Sequence, residues 1–298
     1  MNRLFHRRAM LSLSGGLLGS ALLTRSAPAN GSEEIRARYL KSLLPARDDV
    51  AGWLAGRKYP FCKYDPELGY LHIDRDFKEG LNGAVCRYRY DQLDARQMLA
   101  YADRPCRINT YGNSFTSCEQ VSDGQTWQEV LARHLCEPVR NYGIGGYSVY
   151  QSYLRMLREE QRAPAKTIIF NIFDDDHYRN IVGWQRFKFG VNDVSINPTV
   201  PYMQVDPAKG TIVYRGNPCP DRVSLEHLTD LKWVTRTFQD NVYLASRLRR
   251  LIDAQAGKQV PRTDYDDETL NRYGLFATNA VIDKVKQYGE QTGRNVLF

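Results

Sequence analysis

With 298 residues, an apolar fraction of 42% and 19 tyrosines, the chain is long enough for one large domain or two small ones and too rich in aromatics to be a disordered segment. Its formal charge of +7 is concentrated at the start: residues 1–29 hold Arg3, Arg7, Arg8 and Arg25 and no acid, and without them the balance falls to +3. No basic stripe with interleaved aromatics and no second long apolar run follows, which argues against a nucleic-acid partner and against a membrane span after removal of the leader.

The first segment, 1–29, reads as a signal peptide. "MNRLFHRRAM" is basic, "LSLSGGLLGSALL" is short and apolar, and "SAPAN" puts Ala27 and Ala29 at the spacing a signal peptidase reads. Arg7-Arg8 gives it a twin-arginine character, with Sec export as the alternative; either route predicts a periplasmic or secreted protein. In an exported chain the six cysteines, Cys62, Cys86, Cys106, Cys118, Cys136 and Cys219, permit disulfides of unreadable connectivity. Their wide spacings contain no C-x-x-C, so no zinc site is expected.

Residues 30–105 read as an N-terminal extension with a helix and a β-hairpin. "GSEEIRARYLKSLL" places Ile35, Tyr39, Leu43 and Leu44 on one side, "YDPELGYLH" is rich in turn residues, and Asn82-Gly83 is a tight-turn dipeptide before an alternating run. From 106 the pattern changes. "CRINTY" predicts a strand ending at Gly112. "GQTWQEVLARHL" predicts a helix with Trp127, Val130, Leu131 and Leu135 on its buried face, His134 packed there too, and a capping box from Thr126 to Glu129. "PVRNYG", then "SVYQSYLRMLREEQ" with Tyr150, Tyr153, Leu154 and Leu157 aligned, then "KTIIFNIF" continue the alternation as strand, helix, strand. Such an order implies parallel pairing through right-handed crossovers.

Residues 184–232 break the rhythm and read as a small β-rich insertion, with a hairpin around Asp206-Pro207, placed to cover the site. Helices return in "FQDNVYLASRLRRLI" and "LFATNAVIDKVKQYGEQTG", the latter stopped by Gly293, and "RNVLF" opens another strand.

In parallel α/β sheets, ligands gather at the carboxyl ends of the strands. Three strand ends here carry candidates: Gly112-Asn113-Ser114, then "NYGIGGYS" at 141–148, then "DDDHYRN" at 174–180. "YGNSFT", "NYGIGGYSVYQ" and "IIFNIFDDDHYRN", in that order, resemble the SGNH (GDSL-type) hydrolases over about residues 87–183. The resemblance implies a three-layer α/β/α fold with a parallel, flavodoxin-like sheet over 106–298, no cofactor, and a small-molecule or glycan ester as substrate. It implies Ser114 as nucleophile, with its own N–H and that of Gly146 binding the oxyanion, and puts Asp175 where the family has an asparagine donor. A literal Gly-x-Asn-Asp at Gly190–Asp193 offers Asn192 for that donor instead. Asn113 stands where aspartate is usual. The family's Asp-x-x-His base is expected beyond Phe298, as if the sequence were cut short before it; the literal match, Asp174 to His177, makes His177 a weaker substitute.

Each of these residues also has a simpler reading. Ser114 would serve as a helix cap, Gly145-Gly146 as a permissive loop, and Asp174, Asp175 and Asp176 as solvated acids rather than a calcium site. Tyr147, Tyr150 and Tyr153 suit core packing as well as a pocket wall, and His72 and His227 gain no role. The expectation is an exported serine esterase acting on a carbohydrate or lipid ester through an acyl-serine. A glycan O-acyltransferase of the same fold and a non-catalytic carbohydrate- or lipid-binding protein are the alternatives.

Overall fold

A computed structural model describes residues 29–192 and 195–298; the expected signal peptide, up to its last residue, lies outside them. Helices α1 (Ala29–Leu43) and α2 (Arg47–Leu54) lead into two antiparallel hairpins, β1 (Cys62–Asp65) with β2 (Gly69–His72), and β3 (Arg75–Lys78) with β4 (Val85–Tyr88). The extension thus holds two helices and two hairpins where one of each was expected. The first hairpin was missed because its strands are four residues long and turn on Asp65–Gly69, a stretch that reads only as loop. At the second, Asn82 takes φ 57° and ψ 26°, the left-handed conformation that the Asn-Gly pair announces.

The alternation follows: β5 (Ile108–Tyr111), α3 (Ser114–Ser117), α4 (Trp127–Leu135), β6 (Val139–Asn141), α5 (Val149–Arg162) and β7 (Thr167–Phe170). Beyond come α6 (Arg186–Phe189), the hairpin β8 (Tyr202–Asp206) with β9 (Thr211–Arg215), α7 (Leu231–Thr237), α8 (Val242–Gln255), α9 (Glu268–Thr292) and β10 (Asn295–Leu297). Gly293 closes α9 at φ +65°, as its sequence position implies.

The result is a mixed α/β fold built on a four-stranded parallel sheet in the order β10-β7-β5-β6, with helices on both faces. Side-chain alternation sorts the two faces. Tyr111, Ile168 and Phe170 enter the main core with Met156 of α5 and Ala277, Val281 and Val285 of α9. Ile108 and Ile169, on the other face, form a smaller cluster with Ala132 of α4 and Val139. Polar groups also cross the first face: the buried Glu160 carboxylate of α5 accepts from Asn109 Nδ2 at 2.7 Å and Tyr111 Oη at 2.8 Å, and pairs with Arg294 ahead of β10. An acid buried under a sheet is retained only when its lone pairs are filled in this way.

The buried face of α4 is not the one its apolar residues suggest. Gln128, Glu129 and Ala132 are buried, whereas Val130 and Leu135 are 50% and 45% exposed and His134 is exposed rather than packed. Two polar side chains turned the helix. Gln128 Nε2 donates to Thr110 Oγ1 at 3.1 Å and to the Thr116 carbonyl at 2.8 Å. Glu129 accepts from the backbone N–H groups of Leu99 and Ala100. Glu129 therefore does not close the capping box; only the Thr126 hydroxyl accepts, from Glu129 N–H at 3.3 Å. On α5, Tyr150 is buried while Tyr153, Leu154 and Leu157 are half-buried, because Arg155, Glu159 and Glu160 share the inner face.

The 184–232 segment carries β8 and β9 as its named strands, and its hairpin packs Tyr214 on Tyr150 of α5 at 5.7 Å. All six cysteines are free thiols.

Candidate active site

The three strand-end loops meet at one rim of the sheet. Past β5 the backbone ladder continues into the loops: Asn171 N–H donates to the Tyr111 carbonyl at 2.8 Å, and Ile144 N–H donates to the Gly112 carbonyl at 3.1 Å. Asn113, buried, caps α3 by accepting from Phe115 N–H at 2.9 Å. Its amide nitrogen donates to both carboxylate oxygens of Asp176 at 2.8 and 2.9 Å. Asp176 pairs with Arg179 at 2.8 Å, and Arg179 Nη1 donates to the Tyr147 carbonyl at 3.2 Å. One acid thus ties the serine turn, the glycine turn and the third loop together. Phe115 and Phe173 add a ring contact at 4.3 Å between the first and third loops.

The resemblance puts Asp175 at the donor position; the acid buried against the serine turn is its neighbour Asp176, 2% exposed. The Asp175 side chain lies outside the described residues. Asp174 is exposed, and no group of three His, Cys, Asp or Glu suited to a metal exists among the described residues.

Ser114 is half-buried and opens α3, so its N–H has no acceptor within the helix. It lines a cleft of about 440 Å³ with Phe115, Cys118, Glu79 and Glu119. Gly145 and Gly146 line a second cleft, of about 410 Å³, which also contains Glu79 and Glu119. The two clefts therefore share those two acids as a common wall. Gly146 sits at φ +80°, which favours glycine. A Cβ on Gly145 would overlap the Glu119 carboxylate, which lies against the glycine turn.

The extension supplies the remaining walls of the second cleft. Tyr70 of β2 donates its hydroxyl to the Gly145 carbonyl at 2.6 Å and accepts from Gln185 Nε2 at 3.0 Å. Phe61, Phe77, His72 and Arg75 complete that side, and Phe189, Asn192 and Asn197 face it from the 184–197 segment. The part of the insertion that borders the site is therefore this segment, not the β8–β9 hairpin. Asn192, the alternative donor, shares the cleft with Gly146, where its Oδ1 accepts from Ser195 N–H at 2.7 Å.

Burial raises the Glu119 pKa, while Arg75, whose Nη2 lies 4.0 Å from Glu119 Oε1, opposes the rise. Burial also pushes up the Tyr70 hydroxyl and drives His72 well below its ordinary value of 6.5, the latter helped by Arg75, Arg155 and Arg96.

No described histidine hydrogen-bonds Ser114. His72 Nδ1 pairs with Tyr90 Oη at 3.1 Å, His177 Nδ1 with Thr278 Oγ1 of α9 at 2.9 Å, His227 stacks on Trp233 at 5.4 Å, and His134 is exposed on α4. His177, the substitute base, is half-buried with its pKa lowered by burial, Asp174 opposing.

No protein-family model matches this sequence, and no curated protein is similar enough to it to argue from. The functional reading rests on geometry and on residue chemistry.

The motifs do not single out Glu119, Arg75 or Arg96, and Asp176, expected as a solvated acid, is buried because it bonds Asn113 and pairs with Arg179. Glu119 and Arg75 belong to no motif and meet only through the fold. Arg96, 2% exposed, pairs with Asp123 at 2.9 Å and donates to the carbonyls of Ser117, Cys118 and Val121, holding the chain that leaves α3.

Proposed function

We propose that this chain is an SGNH-type serine esterase acting on a carbohydrate or lipid ester through an acyl-Ser114 intermediate. The observation that carries the reading is the convergence at one sheet rim of the half-buried Ser114, the Gly145-Gly146 turn and the third loop. Counting only the parallel strands in chain order, the sheet runs second, first, third, fourth, the order of flavodoxin-like doubly wound sheets. In that order the crevice opens between the first and third strands, β5 and β7, where Ser114 and Asp176 follow.

In the reaction, Ser114 Oγ attacks the ester carbonyl and loses its proton to a base; the alcohol leaves with a proton, and water then releases the acid. None of the four described histidines hydrogen-bonds Ser114, and His177 would have to leave Thr278 to act as the base. The oxyanion gains the N–H of Ser114, free at the helix start, and that of Gly146, and each such donor contributes on the order of 3 kcal/mol. Gly146 sits at φ +80°, and a Cβ there would meet the Tyr70 hydroxyl, so the turn favours glycine on both counts. The leader at 1–29 supports export, so the substrate is extracytoplasmic. Transfer of the acyl group to a sugar instead of water uses the same serine chemistry.

The test is hydrolysis of p-nitrophenyl acetate by the full-length protein and by Ser114→Ala. The expected result is a loss of at least about a thousand-fold with an unchanged melting temperature; equal rates would reject the reading. A second reading, ligand binding without turnover, is favoured by the histidines, each described one being exposed or engaged elsewhere. Binding of intact ester by the wild-type protein with no hydrolysis would select it.

A further inference from the structure

The cleft beside the glycine turn has a composition that selects its occupant. It is about 410 Å³, within the range of small-molecule sites. Phe61 and Phe77 meet edge to face at 5.0 Å on one side, and Phe189, 43% exposed, stands on the other. Between them are one cation and two acids. Arg75 has a side chain only 9% exposed, stacked on Tyr88 at 4.5 Å. Its Nη1 reaches the Phe61 carbonyl at a long 3.4 Å, its Nη2 stands 4.0 Å from Glu119, and its buried Nε has no partner among the described residues. A guanidinium whose Nη groups make only these long contacts keeps donor capacity for an acceptor in the cleft. The Glu119 carboxylate, 4.0 Å from Arg75, lines the cleft, and Glu79 accepts from the Tyr88 hydroxyl.

We propose that this cleft binds a neutral sugar residue, the alcohol side of the ester, with Arg75 and Glu119 gripping its hydroxyls and Phe189 packing on its C–H face. This rests on the reading of Ser114 as nucleophile only for the sugar's place in the reaction, because Glu79 and Glu119 form the wall shared with the Ser114 cleft. A hydroxyl both donates and accepts, so vicinal hydroxyls satisfy the guanidinium and the carboxylate together. An anionic sugar or a phosphate would bring a charge against two acids balanced by one arginine. An acyl chain would bury Arg75 and Glu119 with nothing to bond to. The aromatic walls come from the extension and from α6, so specificity for the alcohol is set outside the parallel sheet.

The experiment measures binding without turnover, using full-length Ser114→Ala protein and calorimetry or saturation-transfer NMR. The probes are cellotetraose, xylotetraose and mannotetraose as neutral saccharides, tetragalacturonate as an anionic one, and octanoate as an acyl chain. At least one neutral saccharide is expected to bind, with affinity falling at least fivefold in Phe189→Ala and in Glu119→Gln. Phe189 is partly exposed and Gln is isosteric with Glu, so both variants keep the fold, which melting curves check. Binding of only tetragalacturonate or octanoate, binding of nothing, or a neutral saccharide unaffected by both variants would overturn the proposal. Saccharide binding with no ester cleavage by the wild type would leave it standing and remove the esterase reading instead.

Discussion

Asn113 and Asp176 face each other across the rim of the sheet, both almost fully buried, and the two hydrogen bonds between them fix the turn that presents Ser114. Removing the acid would strand the Asn113 amide and leave Arg179, 12% exposed at its side chain, without this charge partner. Breaking a buried pair from one side costs about 3–5 kcal/mol. Asp176→Ala is therefore expected to lose that much stability in urea unfolding, and Asp176→Asn less, since its carbonyl still accepts from Asn113. A change under about 1 kcal/mol in the alanine variant would remove Asp176 from its place as the tie between loops. At this scale the order of strands and turns places Gly112, Ser114 and Gly146 at strand ends, where the structure also has them. It does not show which of three successive aspartates turns inward. That choice depends on the short 3₁₀ turn Asp174–Asp176, whose register no local pattern sets.

The elements themselves are easier to read than the faces they bury. The strands at Ile108–Tyr111, Val139–Asn141 and Thr167–Phe170, the hairpin turning at Pro207 and the stop at Gly293 all follow from apolar runs and turn residues. The orientation of α4 does not, because Gln128 and Glu129 are buried through hydrogen bonds to backbone that lies distant in sequence. The same limit hides Arg96. It lies in an irregular stretch, yet it pairs with Asp123, donates to three carbonyls from the last residue of α3 onward and stacks on Tyr88 at 4.3 Å. Lysine keeps the charge but lacks the planar fork that reaches several acceptors at once. Arg96→Lys is expected to lose about 2–4 kcal/mol of stability, and to lower the rate of the proposed ester hydrolysis more than substrate affinity, since the clamp acts on the turn and not on the ligand. Wild-type stability in Arg96→Lys would refute the clamp.

Across the whole molecule, the extension and the sheet are joined at the site: Tyr70 bonds the glycine turn, Tyr147 Oη returns a bond to the Tyr70 carbonyl at 2.6 Å, and His72 is buried close by. Burial and the nearby Arg75, Arg155 and Arg96 keep His72 neutral in the fold, with its pKa below the 6.5 of an unfolded chain. The unfolded chain then holds a proton that the fold does not. Stability is complete above about pH 6.5 and falls as pH drops toward the folded pKa, by up to about 1.4 kcal/mol per pH unit. Melting between pH 7 and 5 is expected to show a shallower slope in His72→Gln than in the wild type; parallel slopes would contradict the buried neutral imidazole. The architecture, a parallel sheet with loops gathered at its carboxyl edge, is legible from the order of strands and helices. The walls of the second cleft are not, because Phe61, Arg75 and Phe189 come together only after two hairpins and α6 are placed.

Covalent labelling tests the proposed role of Ser114 as an activated nucleophile. A fluorophosphonate forms a phosphorus–oxygen bond to such a serine and releases fluoride. Peptide mapping of the labelled full-length protein is expected to find one adduct, on the peptide containing Ser114, and none in Ser114→Ala. An adduct on a different serine, or no adduct at all, would contradict the account.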